Sequence, residues 1–397
     1  MKSNGILILI GLLSIALTPG DLGSLRILSS SASAQEKAPE TKLDPSSKDS
    51  AATAGTEETK GLDNQEIKLS QLAEYYRDQG LYGFAEEAVK KLLKIRETKL
   101  GTDHPEISIH LNNLAWLYEA QGKYDEAEPL YVRALGITAA HYGNQHPEVA
   151  VRLTNLAGIY REQARYGLAE KLYLKSLAIW ETAWGPLHPD LAIGLNNLAG
   201  LYSILGRYDD AEPLLKRSLE ISESVLGIDH PNVVTTASNL AWIYGQKKNY
   251  QKAEALYLRV LRIREERLTP DHPDVAAVLN NLADVYRAQQ RYLEAKPLYL
   301  RSLAIREKYL GRDHPHVATS LRNLAEIYRA EKDYAKAIPL YKRAISILNN
   351  SLAPNHPDLL ATQAAYETLL HESNENLSRE EFSSLPGPPG SGYVREP

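Results

Sequence analysis

Seven histidines, each followed by proline, stand 42 residues apart at His104, His146, His188, His230, His272, His314 and His356. Imidazole nitrogens ligate metals, so a regular series of them raises metal binding first. The spacing argues against it. Equivalent positions in stacked helical units are at least about 8–10 Å apart, whereas zinc holds its nitrogen ligands at about 2.0–2.1 Å. The chain has no Cys, and no close carboxylate set accompanies the imidazoles. The expected role is hydrogen bonding that orders a turn, with Asp103, Asp229, Asp271 and Asp313 preceding four of the histidines. No metal ligand and no cofactor is expected. His110, His141, His316 and His371 lie off this frame and carry no specific chemistry.

Catalytic constellations are equally sparse. The sequence holds no phosphate-binding loop, no G-x-S-x-G elbow, no H-E-x-x-H and no paired acids in a Gly-rich setting. Ser176, Ser218 and Ser302 fall in a buried helical stripe where Ala would serve as well. No catalytic residue is assigned, and the chain is read as a non-enzyme. With 45 basic against 50 acidic side chains, the net charge of −5 gives no footprint for nucleic acid. The missing Cys also excludes disulfides and thiol nucleophiles.

Three blocks recur with the His-Pro pairs. The first reads Leu111-Asn-Asn-Leu-Ala115, and returns beginning at Leu153, Leu195, Ala237, Leu279 and Leu321. A Tyr follows three residues on, from Tyr118 to Tyr328, and a third block opens with Tyr at 124, 166, 208, 250, 292 and 334. Residues 66–104 carry the same frame more weakly. Leu111, Leu114, Ala115 and Tyr118 recur at i, i+3, i+4 and i+7, the period of a half-buried helix. Ala127, Leu130, Tyr131, Ala134 and Leu135 form a second such stripe. Gln121-Gly122-Lys123 makes the turn between them. Gly101, Gly143, Gly185, Gly227 and Gly311 are expected to end each second helix in a left-handed cap, and the Pro after each His suits the first helical turn. One helix pair cannot bury its stripe alone, so stacking must complete the core.

The small residues at Ala115, Ala127 and Ala134, with large ones at Leu111, Leu114, Tyr118 and Tyr131, resemble the tetratricopeptide repeat. The 42-residue length is similar to the repeats of kinesin light chain, in stretches such as Ala304-Ile-Arg-Glu-Lys-Tyr-Leu-Gly-Arg-Asp-His-Pro315. The resemblance does not extend to the coiled coil of that subunit, since no heptad region is present. It implies an all-α fold: a right-handed α-solenoid of seven stacked helix-turn-helix repeats with a C-terminal capping helix. The units fall near 66–104, 105–146, 147–188, 189–230, 231–272, 273–314 and 315–356, with a cap over 357–373. Gln363, Tyr366 and Glu367 make that cap's face polar.

The same resemblance places a variable stripe of each first helix along a concave groove that takes extended peptides. Here it contributes Asn112, Trp116 and Glu119, then Arg161, then Asn196, with Trp242 further on. Asn280, Asp284 and Arg287, then Arg322, Glu326 and Arg329, continue it. Beside it runs an Asn ladder of Asn113, Asn155, Asn197, Asn239, Asn281 and Asn323, suited to a peptide backbone, to a bond with the adjacent helix, or to both. Trp116 and Trp242 are the expected hydrophobic anchors; filling space between units is the competing role. Arg287, Arg322 and Arg329 make the far end basic, though pairing of Asp284 with Arg287, Glu326 with Arg329 and Arg322 with Glu326 absorbs much of that charge.

Outside the repeats, residues 1–34 read as an export signal. Lys2 leads into an apolar stretch from Ile6 to Leu17, too short to span a bilayer, and Ala32-Ser33-Ala34 offers a cleavage site. Left uncleaved, the segment would be an anchor. Residues 35–65 read as a disordered linker and 374–397 as a disordered, Pro/Gly-rich tail. The expected function is a monomeric protein–protein interaction scaffold, exported to a bacterial periplasm or beyond, that holds a partner's extended or helical segment. A self-assembling envelope protein, with end-to-end or convex-face contacts, is the alternative. Neither nucleic acid nor a small-molecule substrate is expected.

Overall fold

The computed structural model describes residues 63–384, with side chains through Asn374. The expected export signal, most of the linker and the end of the tail lie outside the described residues. The described chain divides at Thr236 and Ala237 into two compact units. Regular structure is helical throughout the described residues.

The first unit holds α1 (Asn64–Asp78), α2 (Tyr82–Leu100), α3 (Pro105–Ala120), α4 (Tyr124–Tyr142), α5 (Pro147–Glu162), α6 (Tyr166–Trp184), α7 (Pro189–Ile204) and α8 (Tyr208–Leu226). Helix α9 (Pro231–Gln246) begins here. The second unit continues through α10 (Tyr250–Arg267), α11 (Pro273–Ala288), α12 (Tyr292–Leu310), α13 (Pro315–Ala330), α14 (Tyr334–Ser351) and α15 (Pro357–Ser384). The expected His-Pro junctions and Tyr starts coincide with helix boundaries along the repeat.

Each His of the series is an N-cap. Its Nδ1 accepts the backbone N–H two residues on, at 3.1–3.3 Å from His104 to His356. The Pro in between has no N–H to satisfy. Seven junctions are therefore built on the same imidazole–amide bond.

The glycines that end the second helices require a correction. Gly101, Gly143, Gly185, Gly227 and Gly311 have φ of 82–86° but ψ of 157–176°. This is an extended region essentially restricted to Gly, not the left-handed helical one. Thr269 and Ala353 replace that Gly in two repeats and cannot follow. There the helix stops one residue sooner, with Leu268 or Leu352 as an extended cap. The left-handed conformation occurs instead at the turn inside each pair, at Gly80, Gly122, Ala164, Gly206, Lys248, Gln290 and Lys332.

Ala115, Ala127, Tyr131, Leu156 and Ile159 pack α3 and α4 onto α5. The junctions are clamped at the surface by Arg165 on Glu128, Arg207 on Glu170 and Arg291 on Glu254, at 2.8–3.1 Å. Those guanidinium groups also cover Tyr160, Tyr202 and Tyr286 at 4.1–4.2 Å, which adds a cation–π attraction. Ser218 and Ser302 do more than Ala would. Each hydroxyl donates to a carbonyl of the paired first helix, Ala192 at 2.7 Å and Ala276 at 2.8 Å.

Two ends differ from expectation. Asp63 caps α1 through a capping box with Glu66, so the first helix starts within the stretch read as linker. Helix α15 continues to Ser384 rather than 373, because no Pro or Gly interrupts residues 374–384 before Pro386. No helix among the described residues is long and apolar enough to cross a membrane.

Candidate binding groove

The expected groove stripe lies on the first helix of each pair, and the Asn ladder joins neighbouring first helices. Asn155 Nδ2 donates to Asn112 Oδ1 at 2.7 Å, linking α5 to α3. Asn323 Nδ2 donates to Asn280 Oδ1 at 3.1 Å, linking α13 to α11. Each bond exists because the preceding repeat supplies Asn one position before its own ladder residue. Asn113 has Ser70 at that preceding position and is exposed, without a hydrogen bond among the described residues. Asn197 has Thr154 there, whose hydroxyl donates to Ala150 O. Asn196 and Asn239 are half-buried. Two steps of the ladder are thus joints between helices.

A row of buried Tyr hydroxyls on the second helices meets this stripe, and the sequence did not signal it. Tyr131, Tyr173, Tyr257, Tyr299 and Tyr341 are each at most 1% exposed. Tyr131 donates to Glu119 at 3.0 Å, Tyr299 to Asp284 at 2.5 Å, and Tyr341 to Glu326. Burial is the larger influence on two of these acids. It pushes Glu119 up to about 7, and it raises Asp284 although Arg287, Tyr299 and Arg322 pull the other way.

The cations divide into spent and available. Arg161 bonds Glu162 at 3.0 and 2.8 Å. Arg287 reaches Asp284 at 3.2 Å and Tyr299 Oη at 3.3 Å. Arg329 grips Glu372 of α15 at 2.9 and 2.8 Å and Glu326 at 3.2 Å. The expected Arg322–Glu326 pair is not formed: Tyr341 and Arg329 occupy Glu326 instead. Arg322 is half-buried with no hydrogen bond or ion pair among the described residues.

The two tryptophans part company. Trp116 packs edge-on against Tyr82 of α2, centroids 5.9 Å apart, and joins the core of the first pair. Trp242, 6% exposed, walls a cavity of about 240 Å³ in the second unit with Gly245, Tyr250, Tyr257, Asn281, Asp284, Val285 and Arg287. Gly245 keeps it open. A Cβ there would touch only Val285 Cγ2, at 4.0 Å, whereas other repeats place Glu119, Arg161, Arg287 or Arg329 at this position. A helical Gly costs roughly 0.5–1 kcal/mol against Ala. Asn281 is 5% exposed, and its Oδ1 is buried without a hydrogen-bond partner. No group of three or more metal-ligating side chains converges among the described residues.

Helix pairs of this length, with small residues where α3, α4 and α5 meet, define an all-α tetratricopeptide-type fold. The chain belongs to the tetratricopeptide repeat family: the family model matches residues 65–140, 120–182, 190–266, 274–350 and 322–376, and a second one 238–309. Similar solved structures include kinesin light chain-like repeat proteins. BtubC (BKLC) from P. vanneervenii is 28% identical over 58% of this chain and 92% of that one, with a TM-score of 0.49. A putative kinesin light chain of Podospora anserina is 24% identical over 52% and 100%, at 0.44. Apo RapI shares the fold at 17% identity, over 72% and 98%, with a TM-score of 0.54. No curated protein matches the chain significantly. Tetratricopeptide repeat proteins generally mediate protein–protein interactions, and the fold is typically a non-enzymatic scaffold.

Proposed function

We propose that the chain is a non-enzymatic scaffold that holds an extended or helical segment of a partner protein along the stripe of its first helices. One observation carries this reading. The cavity beside Trp242 is kept open by a helical Gly, at a cost in stability, and is lined by a buried amide oxygen with no donor. A partner's side chain would cover the indole and Val285, and an N–H of its backbone would satisfy Asn281. Arg322 offers a cation alongside. The apolar segment Ile6–Leu17 and the Ala32-Ser33-Ala34 site support a reading in which this activity lies outside the cytoplasm, and the array is read as a monomer.

Selection of a displayed random-peptide library on the protein tests the groove. Peptides enriched by the wild type should lose at least tenfold in affinity on Gly245→Leu, which fills the cavity, with helicity by circular dichroism unchanged. Failure to enrich any peptide, or equal binding to the variant, would overturn the assignment.

A further inference from the structure

Of the three groove acids bonded to buried Tyr hydroxyls, two also hold a guanidinium: Asp284 has Arg287 and Glu326 has Arg329, each at 3.2 Å. Glu119 has none. Its carboxylate has one hydrogen bond among the described residues, from Tyr131 at 3.0 Å, and the nearby Arg161 is turned to Glu162 at 2.8 Å. The groups facing it are Tyr131 of α4, Arg161 and Glu162 of α5, and Tyr173 of α6. Two carboxylates share one guanidinium, so a negative charge is left over.

The helix position beside that charge carries no side chain. Across from Glu119 stands Gly158, where a Cβ would find only Glu119 Oε1 and Tyr173 Oη, both at 3.9 Å. Tyr173 is 1% exposed, yet its hydroxyl, unlike those of Tyr131, Tyr299 and Tyr341, has no hydrogen-bond partner among the described residues. A carboxylate oxygen and an unoccupied phenol oxygen therefore border one gap over a helical Gly. Both oxygens accept hydrogen bonds, and one is anionic. A donor group carrying positive charge satisfies both at once.

We infer that the gap between Glu119, Gly158 and Tyr173 is a subsite for a basic side chain, arginine or lysine, of the bound segment. This rests on the groove reading and adds the charge of one partner residue. Bringing a cation to Glu119 replaces the water lost by burial with a charge-assisted bond. Capture is consequently pH-dependent. The carboxyl is pushed up to about 7, so at pH 5.5 the ionised form is about thirtyfold scarcer than the protonated one.

The test uses the full chain with ¹³C-labelled glutamate and three probes, the tripeptides Ac-Ala-Arg-Ala-NH₂, Ac-Ala-Lys-Ala-NH₂ and Ac-Ala-Glu-Ala-NH₂. At pH 8 the two basic peptides should shift the Glu119 carboxyl resonance saturably and lower its titration midpoint, while the acidic peptide does neither. Affinity should fall at least tenfold at pH 5.5. Amide resonances around Gly158 should show the same loss at pH 8 in Glu119→Gln, which keeps an acceptor for Tyr131, and in Gly158→Leu, which fills the gap and leaves the charge. Equal response to the acidic peptide, or undiminished binding in both variants, would overturn the subsite. These probes need no partner segment, so a negative result here alongside enriched peptides in the display experiment retires the subsite alone.

Discussion

The hydroxyl of Tyr131 and the carboxylate of Glu119 lie 3.0 Å apart, and this bond from α4 to α3 is the one hydrogen bond that the Glu119 side chain makes among the described residues. Burial lifts the carboxyl from its ordinary 4.5 to about 7 in the folded chain. Between those values the folded state holds more protons than the unfolded one, so stability is lost as pH rises through the window. Above about pH 7 the loss is complete. Glu119→Gln keeps the acceptor and removes the charge. Its melting temperature should exceed that of the wild type at pH 8 and match it near pH 4.5. An offset of equal size at both pH values would contradict this.

His316 gives the opposite slope. Burial, with Arg306 and His314 nearby, depresses its imidazole from 6.5 to about 4, and burial does the same at His110. As pH falls below about 6.5 the unfolded chain takes up protons that the folded chain refuses, and stability drops until about pH 4. Replacing His316 with Gln should flatten this acid limb by a measurable part in urea titrations between pH 4 and 7. An unchanged slope would show that His316 titrates alike in both states.

Ala164 sits in the turn between α5 and α6 with φ of 57°. A left-handed L-residue costs roughly 1–2 kcal/mol, while Gly gives back part of that through chain entropy. Ala164→Gly should therefore stabilise the array by about 0.5–1 kcal/mol in chemical unfolding. The mirror change, Gly122→Ala at φ of 72°, should destabilise it by a similar amount. The pair is informative because the two residues occupy the same turn in successive repeats.

Gly194 of α7 faces Trp180 of α6, and a Cβ on it would meet Trp180 Cζ3 and Leu177 Cδ2 at 2.8 Å. Overpacking of this kind costs about 1–3 kcal/mol, against which Ala gains about 1 kcal/mol in helix propensity. Gly194→Ala should lose up to about 2 kcal/mol. In a Trp180→Leu background the same substitution should become neutral or favourable, and a double-mutant cycle measures the difference.

Repetition made the helices, their order and their starting residues legible, because every junction repeats the His-Pro and Tyr signals. Composition alone could not say how a Gly is used. It announces a positive φ at Gly143, but ψ follows from the path to the next His, and the left-handed helical conformation fell to residues such as Ala164 and Lys248. The Asn ladder could be read either way because an amide both donates and accepts; at Asn155 and Asn323 it was the preceding repeat's Asn that decided. The Arg322–Glu326 spacing allowed an ion pair, yet Tyr341, fifteen residues away in the chain, took the acid first. Glu119 with Tyr173 went unseen for the same reason. Their proximity depends on how α6 sets its hydroxyl against α3, a relation between helices that no single-helix period records.

Chains built from near-copies can stack the wrong neighbours during folding. Most junctions here would tolerate that error, since His caps and Arg–Tyr clamps recur. Trp180 would not. Its indole needs a partner without a side chain, and the positions matching Gly194 in the other repeats hold His110, Arg152, Thr236, Val278, Ser320 and Thr362. One bulky ring and one bare backbone thus work as an address, telling this repeat which of its look-alikes comes next.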